Sequence, residues 1–332
     1  GTNISSAANQ VFTYQGATTS IATVTATDYI GDIITAGNDI RIKIATTSVN
    51  MRWDTTDTLA SIGGTAAGKA STTVSYADSG ATLVIDVESN FSANEYIEIS
   101  DLSFTNFNAT TPAYTGALGL YVDGAGDMFI DAGDDKSVII KGTLAVADHA
   151  LGQTINQWTY GSSTVTAVHY RYQLAGAGEN FSLGTTTFNI SGVNGVSTGE
   201  ITNASLYYDF NNNGLGDEAV LYYGEAVISG SNGTITFATS SIYAATTTNR
   251  NFIVALTAAN LASADQITLD WLGASTTGQT SLEPIAITGD PASVGHMIGV
   301  GLSSAANQVF TYQGATTSIA TVTATDYIGD II

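Results

Sequence analysis

The sequence predicts an all-β protein made of Greek-key β-sandwiches, on three observations. Apolar and polar residues alternate with period two almost throughout. The alternating runs are short, bounded by Gly, Asn, Asp or Ser, and recur at spacings of roughly 8 to 20 residues. No stretch of helical length sustains a 3.6-residue period.

The strands follow in order. Asp39-Ile40-Arg41-Ile42-Lys43-Ile44 places three isoleucines on one face and charges on the other. Thr82–Val87 sends Leu83, Ile85 and Val87 inward, and strands follow at Glu95–Ile99, Gly119–Val122 and Val138–Ile140. In the second half, Val168, Tyr170, Tyr172 and Leu174 alternate with His169, Arg171 and Gln173, which puts His169 on the outward side. Further strands are predicted near 178–191, 200–208, 219–228, 232–238, 250–257 and 266–272. Ala258–Asp265 (AANLASAD) is the one segment expected to make a short helical turn.

Residues 303–332 repeat residues 5–34 letter for letter, at an offset of 298. Thirty identical residues exceed what a shared fold demands. The expectation is a tandem array of 298-residue repeats, with this chain a window of one repeat and the start of the next. An engineered duplication is the alternative. Each repeat divides into sandwich domains at 1–143 and 144–300, joined through the small-residue stretch 142–152, with 301–332 opening the following repeat. The copied tail holds at most three strands and lacks their partners. A hairpin alone is marginal in water, so if ordered it needs cover from the rest of the next repeat, from the second domain, or from a neighbouring chain.

The 332 residues carry 29 acids against 8 Lys plus Arg, a formal net charge of -21. That balance repels nucleic acid and favours cations. Apolar residues at 44% suffice for real cores, so disorder is excluded. Charged residues are only 11% and cysteine is absent. Thr, Ser, Ala and Gly carry most of the surface, the style of exported β-rich surface proteins stabilised by something other than disulfides. The window contains no membrane span.

The sharpest local pattern is Asp209-Phe210-Asn211-Asn212-Asn213-Gly214-Leu215-Gly216-Asp217-Glu218. Asp209, Asn211, Asn213 and Asp217 stand at positions 1, 3, 5 and 9, Gly214 at 6, and Leu215 at the position that lends a backbone carbonyl. This is calcium-loop spacing, because alternate residues point inward and the glycine permits the sharp turn. Position 12 is Val220 and not a bidentate Glu; Glu218 or water would replace it. A bare Asn/Gly hairpin turn is the competing reading. A second acidic cluster, Asp123, Asp127, Asp131, Asp134 and Asp135, packs five carboxylates into thirteen residues and is a further calcium candidate or a solvated turn. Asp28, Asp32 and Asp101 fit ordinary turn or edge positions.

His149, His169 and His296 are scattered without zinc-like spacing, and no Gly-x-Ser-x-Gly elbow, triad or phosphate cradle stands out. No catalytic residues are expected. Trp53, Trp158 and Trp271 would make a sugar platform if exposed, and core if not. Asn-x-Ser/Thr sequons occur at Asn3, Asn90, Asn108, Asn180, Asn189, Asn203 and Asn232.

In its Thr/Ser/Gly-rich strands, missing cysteine and acidic turns, the chain resembles the tandem immunoglobulin-like arrays of large bacterial surface and filament proteins. Asn180–Gly184 and Phe252–Thr257 carry that style, and the 209–218 loop resembles those of EF-hands and dockerins. The resemblance implies a non-enzymatic structural repeat of an extracellular filament, fibre or surface layer. Calcium would stiffen it, and its partners would be other copies or the adjoining repeat. A cell-surface adhesin or carbohydrate-binding module is the alternative, and it requires an exposed aromatic patch.

Overall fold

In a computed structural model of the chain, the structure describes residues 1–124, 130–158, 164–238, 242–244, 249–298, 301–304 and 322–325. Regular structure is β-strand, apart from three single-turn 3-10 segments. Two compact units are present. The first comprises Gly1–Thr143, Gly176–Phe181 and Thr277–Ala286; the second comprises Leu144–Ala175, Ser182–Thr276 and Ile287–Ile332.

The first unit opens with β1 (Thr2–Ser6), β2 (Gln10–Thr13), β3 (Thr19–Ser20), β4 (Val24–Asp28) and β5 (Ile40–Ile44). It continues with β6 (Arg52–Trp53), β7 (Ser61–Gly63), β8 (Ala70–Ala77), β9 (Thr82–Val87) and β10 (Glu95–Ser100). It ends with β11 (Ser103–Thr105), β12 (Thr111–Thr115), β13 (Leu118–Tyr121), β14 (Ala132–Gly133) and β15 (Ser137–Lys141). These form four small sheets, ordered β1-β4-β10-β7, β3-β11-β6, β12-β15-β2 and β14-β13-β5-β9-β8. The alternation in the sequence is realised side chain by side chain. Ile40, Ile42 and Ile44 are buried, as are Leu83, Ile85 and Val87. Trp53 lies against Phe104 at 4.6 Å and donates its indole N–H to the Ile42 carbonyl at 3.2 Å. That bond satisfies the one polar atom the ring carries into the core.

The first 34 residues are woven through this unit. β4 lies between β1 and β10, while β2 runs parallel to β15, Phe12 facing Ile140. Phe12 stacks on Phe107 at 4.6 Å and meets Phe104 edge-on at 5.8 Å. Asp28, an ordinary turn residue by its sequence context, is fully buried. Its carboxylate accepts the backbone N–H groups of Ile30, Gly31, Ile33 and Ile34 at 2.8 to 3.2 Å.

The second unit contains β16 (Thr143–Asp148), β17 (Thr164–Ala177), β18 (Phe181–Asn194), β19 (Ile201–Tyr208), β20 (Val220–Ser229) and β21 (Asn232–Phe237). It continues with β22 (Ile242–Ala244), β23 (Arg250–Ala259), β24 (Gln266–Gly278), β25 (Ile287–Thr288) and β26 (Val294–Met297), and then β27 (Gly301–Ser304) and β28 (Val322–Thr325). A continuous path β25-β16-β17-β23-β19-β20-β21-β18-β24-β26 forms one long sheet. It folds face to face on itself. Tyr172 of β17 packs on Trp271 of β24 at 4.8 Å and on Phe188 of β18 at 5.7 Å, although both strands lie many places away along the path. The two-layer core predicted for a sandwich follows from that closure.

Ala258–Asp265 makes no helix. β23 runs to Ala259, and the chain then turns through positive φ at Asn260 and Ala264. Asp265 accepts the Ala262 N–H, closing the turn.

The copied segment repeats its original where it is described. β27 pairs antiparallel with β28 as Leu302↔Ala324, Ser303↔Thr323 and Ser304↔Val322. β1 pairs with β4 as Ile4↔Ala26, Ser5↔Thr25 and Ser6↔Val24, the same register displaced by 298 residues. The rest of 303–332 lies outside the described residues.

Candidate functional site

The Asp209–Glu218 loop joins β19 to β20 and is wound about its first residue. Asp209 is buried, 1% exposed. Its carboxylate accepts the N–H groups of Asn213 at 3.1 Å and Gly214 at 2.9 Å, and faces His149 Nε2 at 2.8 Å. Asn211 and Asn213 take the N–H groups of Asn213 and Leu215 in turn. Gly214 is required at its place. Its φ is +71°, and a Cβ there would lie 2.9 Å from the Arg171 guanidinium carbon.

Glu218 closes the loop's outer side. One oxygen accepts the N–H groups of Phe210 and Asn211, and the other, Oε2, is buried without a hydrogen-bond partner. Asn213 donates its side-chain amide to Asp217 at 2.9 Å, which holds the Asp217 carboxyl below the usual carboxylate range. The loop therefore has two sides. Asp209 is turned inward to amides and to His149; Asn211, Asn213 and Asp217 are exposed, and Glu218 is half-buried with its Oε2 out of solvent. The orphaned Glu218 oxygen and this oxygen-rich donor set fit a hard cation, though Asp209 is already engaged.

The five acids of the second cluster are drawn to separate tasks. Asp134 is buried and accepts both the N–H and the hydroxyl of Ser6, at 2.8 and 2.6 Å. Asp135 accepts the Ser5 hydroxyl at 2.6 Å and pairs with Lys136. Asp131 accepts the Val122 N–H, Asp123 is exposed, and Asp127 lies outside the described residues. Asp134 and Asp135 hold the first strand in place, a role their spacing did not announce. Among the described residues, no three His, Cys, Asp or Glu side chains converge as a metal cluster would.

All three histidines are buried, which corrects the outward placement of His169. A β-bulge between Val168 and Tyr170 breaks the alternation there and turns the ring inward. His169 and His296 lie in contact, ring centroids 4.6 Å apart. Trp158 donates its indole N–H to His169 Nε2 at 3.0 Å, while Nδ1 lies against both the Ala167 carbonyl and the Leu256 N–H. His296 Nδ1 accepts the Gln157 N–H, so its Nε2 donates to the His169 carbonyl at 2.8 Å. Each ring is thereby fixed as neutral. Burial, reinforced by the neighbouring His296, pushes His169 down to about 3, and burial pushes His296 down to about 4.

The tryptophans offer no platform. Trp53, Trp158 and Trp271 are 1%, 2% and 8% exposed. Beside the loop lies a groove of about 330 Å³ lined by Arg171, Tyr207, Gln157, Val168, Leu215 and Ala255. The Arg171 Nε is buried there with no hydrogen-bond partner.

No protein-family model matches the chain, and no curated protein matches it in sequence. Several solved structures are similar in fold. One is the C-terminal domain of the Streptococcus agalactiae AgI/II polypeptide BspA, at 12% identity and a TM-score of 0.27, covering 90% of this chain and 100% of that one. Another is the C-terminal domain of the Streptococcus pyogenes antigen I/II-family protein AspA, at 11% identity and 0.25, covering 89% and 98%. A third is the C-terminal fragment of the major pilin GBS80 of S. agalactiae, at 10% identity and 0.26, covering 89% of each. Superpositions this loose are a likeness of β-rich architecture and carry nothing about activity or partners.

Proposed function

We propose that the chain is a structural, non-enzymatic repeat unit of an extracellular filament, fibre or surface layer. The observation that carries this reading is the recurrence of one strand register at a 298-residue offset. Identical sequence that re-enters identical pairing is what a head-to-tail array requires, because each repeat then presents the same joint to the next. The composition supports it. A cysteine-free chain at -21 charge, surfaced in Thr, Ser and Gly, suits a soluble extracellular rod. No helix among the described residues is long and apolar enough to cross a membrane.

Chains of one, two and three repeats test this reading by small-angle scattering. The longest dimension should rise by a constant increment per repeat. Collapse to one compact particle irrespective of repeat number would refute it.

Calcium is proposed at the Asp209–Glu218 loop, held by Asn211, Asn213, Asp217, Glu218 and the Leu215 carbonyl, with Asp209 as anchor. It would supply the missing partner for Glu218 Oε2 and stiffen the turn. EDTA should then lower the melting temperature and added Ca²⁺ restore it, with Glu218→Gln abolishing the difference. An EDTA-insensitive melt would leave the loop as a self-sufficient turn.

A further inference from the structure

We infer that the groove beside the Asp209–Glu218 loop is a binding site for an acidic sugar, with Arg171 taking the sugar's carboxylate. This adds a ligand to the fibre reading and does not depend on it.

The chain sets 8 basic residues against 29 acids, and the pairing of those bases singles one out. Arg41, Lys43, Lys69 and Lys136 lie against carboxylates. Arg52 and Lys141 donate to the Met51 and Pro284 carbonyls, and Arg250 sits over the Tyr208 ring. The Arg171 guanidinium has no carboxylate, carbonyl or ring partner among the described residues, and its Nε is sealed from solvent unpaired. Structure alone gives no return for a cation left in that state. The residue is nevertheless held in place. Its backbone N–H donates to Gln153 Oε1 at 3.1 Å, and its carbonyl accepts from Gln153 Nε2 at 2.6 Å. Gly214 closes on the guanidinium so tightly that a Cβ there would lie 2.9 Å from its carbon. A charge fixed in advance is what a ligand site needs.

Arg171 and Tyr207 are both registered with Ile253, so they share the face of β17, β23 and β19 turned away from the Tyr172–Phe252 stack. On that face the groove holds about 330 Å³, at the small end for small-molecule sites. Val168 and Ala255 give it an apolar lining for ring carbons. Gln157 Nε2 donates to the Ile155 carbonyl at 3.0 Å. The Gln157 amide oxygen and the Tyr207 hydroxyl make no hydrogen bond among the described residues, so both can meet sugar hydroxyls.

The chemistry of the groove selects among anions. A carboxylate matches the guanidinium fork with two parallel hydrogen bonds. A phosphate carries more charge than one arginine neutralises, and a chain at -21 repels it. An acidic peptide would need an open strand edge for its main chain. β17, β23 and β19 each have a neighbour on both sides, so their edges are closed.

The probe is glucuronic acid, titrated by calorimetry into the full chain at neutral pH, in buffer stripped of metal by a chelating resin. It should bind at least tenfold more tightly than glucose, inorganic phosphate or N-acetylglutamate. Arg171→Gln should remove that margin, and Arg171→Lys, which keeps the charge without the fork, should restore only part of it. Thr166 is exposed at the rim, so Thr166→Trp should block the groove with Arg171 intact and weaken binding at least tenfold. Should Arg171→Gln chains unfold, as read by their melt, Thr166→Trp carries the test. No binding of glucuronic acid, equal binding of glucose, or full affinity in either folded variant overturns the proposal. Phosphate or N-acetylglutamate binding as tightly as glucuronic acid overturns it too, in favour of a plain anion site or a peptide carboxylate. The repeat-length increments do not depend on these results, so either idea can fail alone.

Discussion

Asp28 shows how much one carboxylate can organise. Burial alone would raise its pKa, but the four backbone amides it accepts outweigh that and leave it below the ordinary value of 3.8. A depressed carboxyl contributes stability that is present above its unfolded pKa and lost as pH falls through its folded one. Asp28→Ala should cost about 3 kcal/mol, because several buried or half-buried donors lose their acceptor at once. A shifted denaturation midpoint in the first unit measures it; a change under 1 kcal/mol would mean the amides find water instead. The histidines carry the same sign of proton linkage, at a higher pH. His169 and His296 sit near 3 and 4 when folded, against 6.5 when exposed. Between those values the unfolded chain binds more protons, so stability falls as pH drops below about 6.5. At pH 5 the two together should lower stability by on the order of 3 kcal/mol relative to pH 8. His169→Gln/His296→Gln should flatten that part of the profile, and an unchanged slope would assign the acid sensitivity elsewhere. Neither feature was legible in the sequence. Asp28 follows a strand and precedes a Gly, like any turn residue, and residues 169 and 296 meet only through the fold.

At the scale of elements, alternation proved the most readable signal. Trp271 shares its face with Ile267 and Leu269 on β24, so its inward direction follows from period two alone, whereas Trp158 lies in a stretch without alternation and gave no such sign. His169 was misassigned because a bulge shifts the phase by one residue, which sequence spacing does not display. The Ala258–Asp265 turn resembles a helix start in composition, but a single turn has no cooperative length to hold it. The loop after β19 was visible as a sharp, oxygen-rich turn. Its anchor was not, because His149 lies 60 residues upstream of Asp209. That pairing yields a prediction independent of any cation. His149→Ala leaves Asp209 buried with two amides and no side-chain partner, which should cost about 3 kcal/mol. His149→Gln, which still donates, should recover part of it. Equal losses in both variants, read by chemical denaturation, would show that the ring's packing and not its hydrogen bond holds the loop.

For the molecule as a whole, the repeated register makes the strongest demand. If β27 and β28 begin a second copy of the first unit, the strand they need is the one that β10 supplies to β4 in the original. Appending residues 35–143 after Ile332 would provide it in the natural 298-residue phase. The extended chain should then unfold with an added enthalpy of roughly 100 kcal/mol, since a unit of this size contributes about 0.7 kcal/mol per residue near 60 °C. The added transition should coincide with that of the first unit, because the two would share sequence and contacts. Asp28→Ala should move only half of that combined transition, leaving the other half as an internal reference in the same melt. Appending the same residues out of phase, after a Gly-Ser spacer inserted within the copied block, should add little enthalpy, because β28 would no longer meet its partner in register. A full increment from the out-of-phase chain would mean that residues 35–143 fold without the block, and the register would then be an accident of sequence identity with no part in joining repeats.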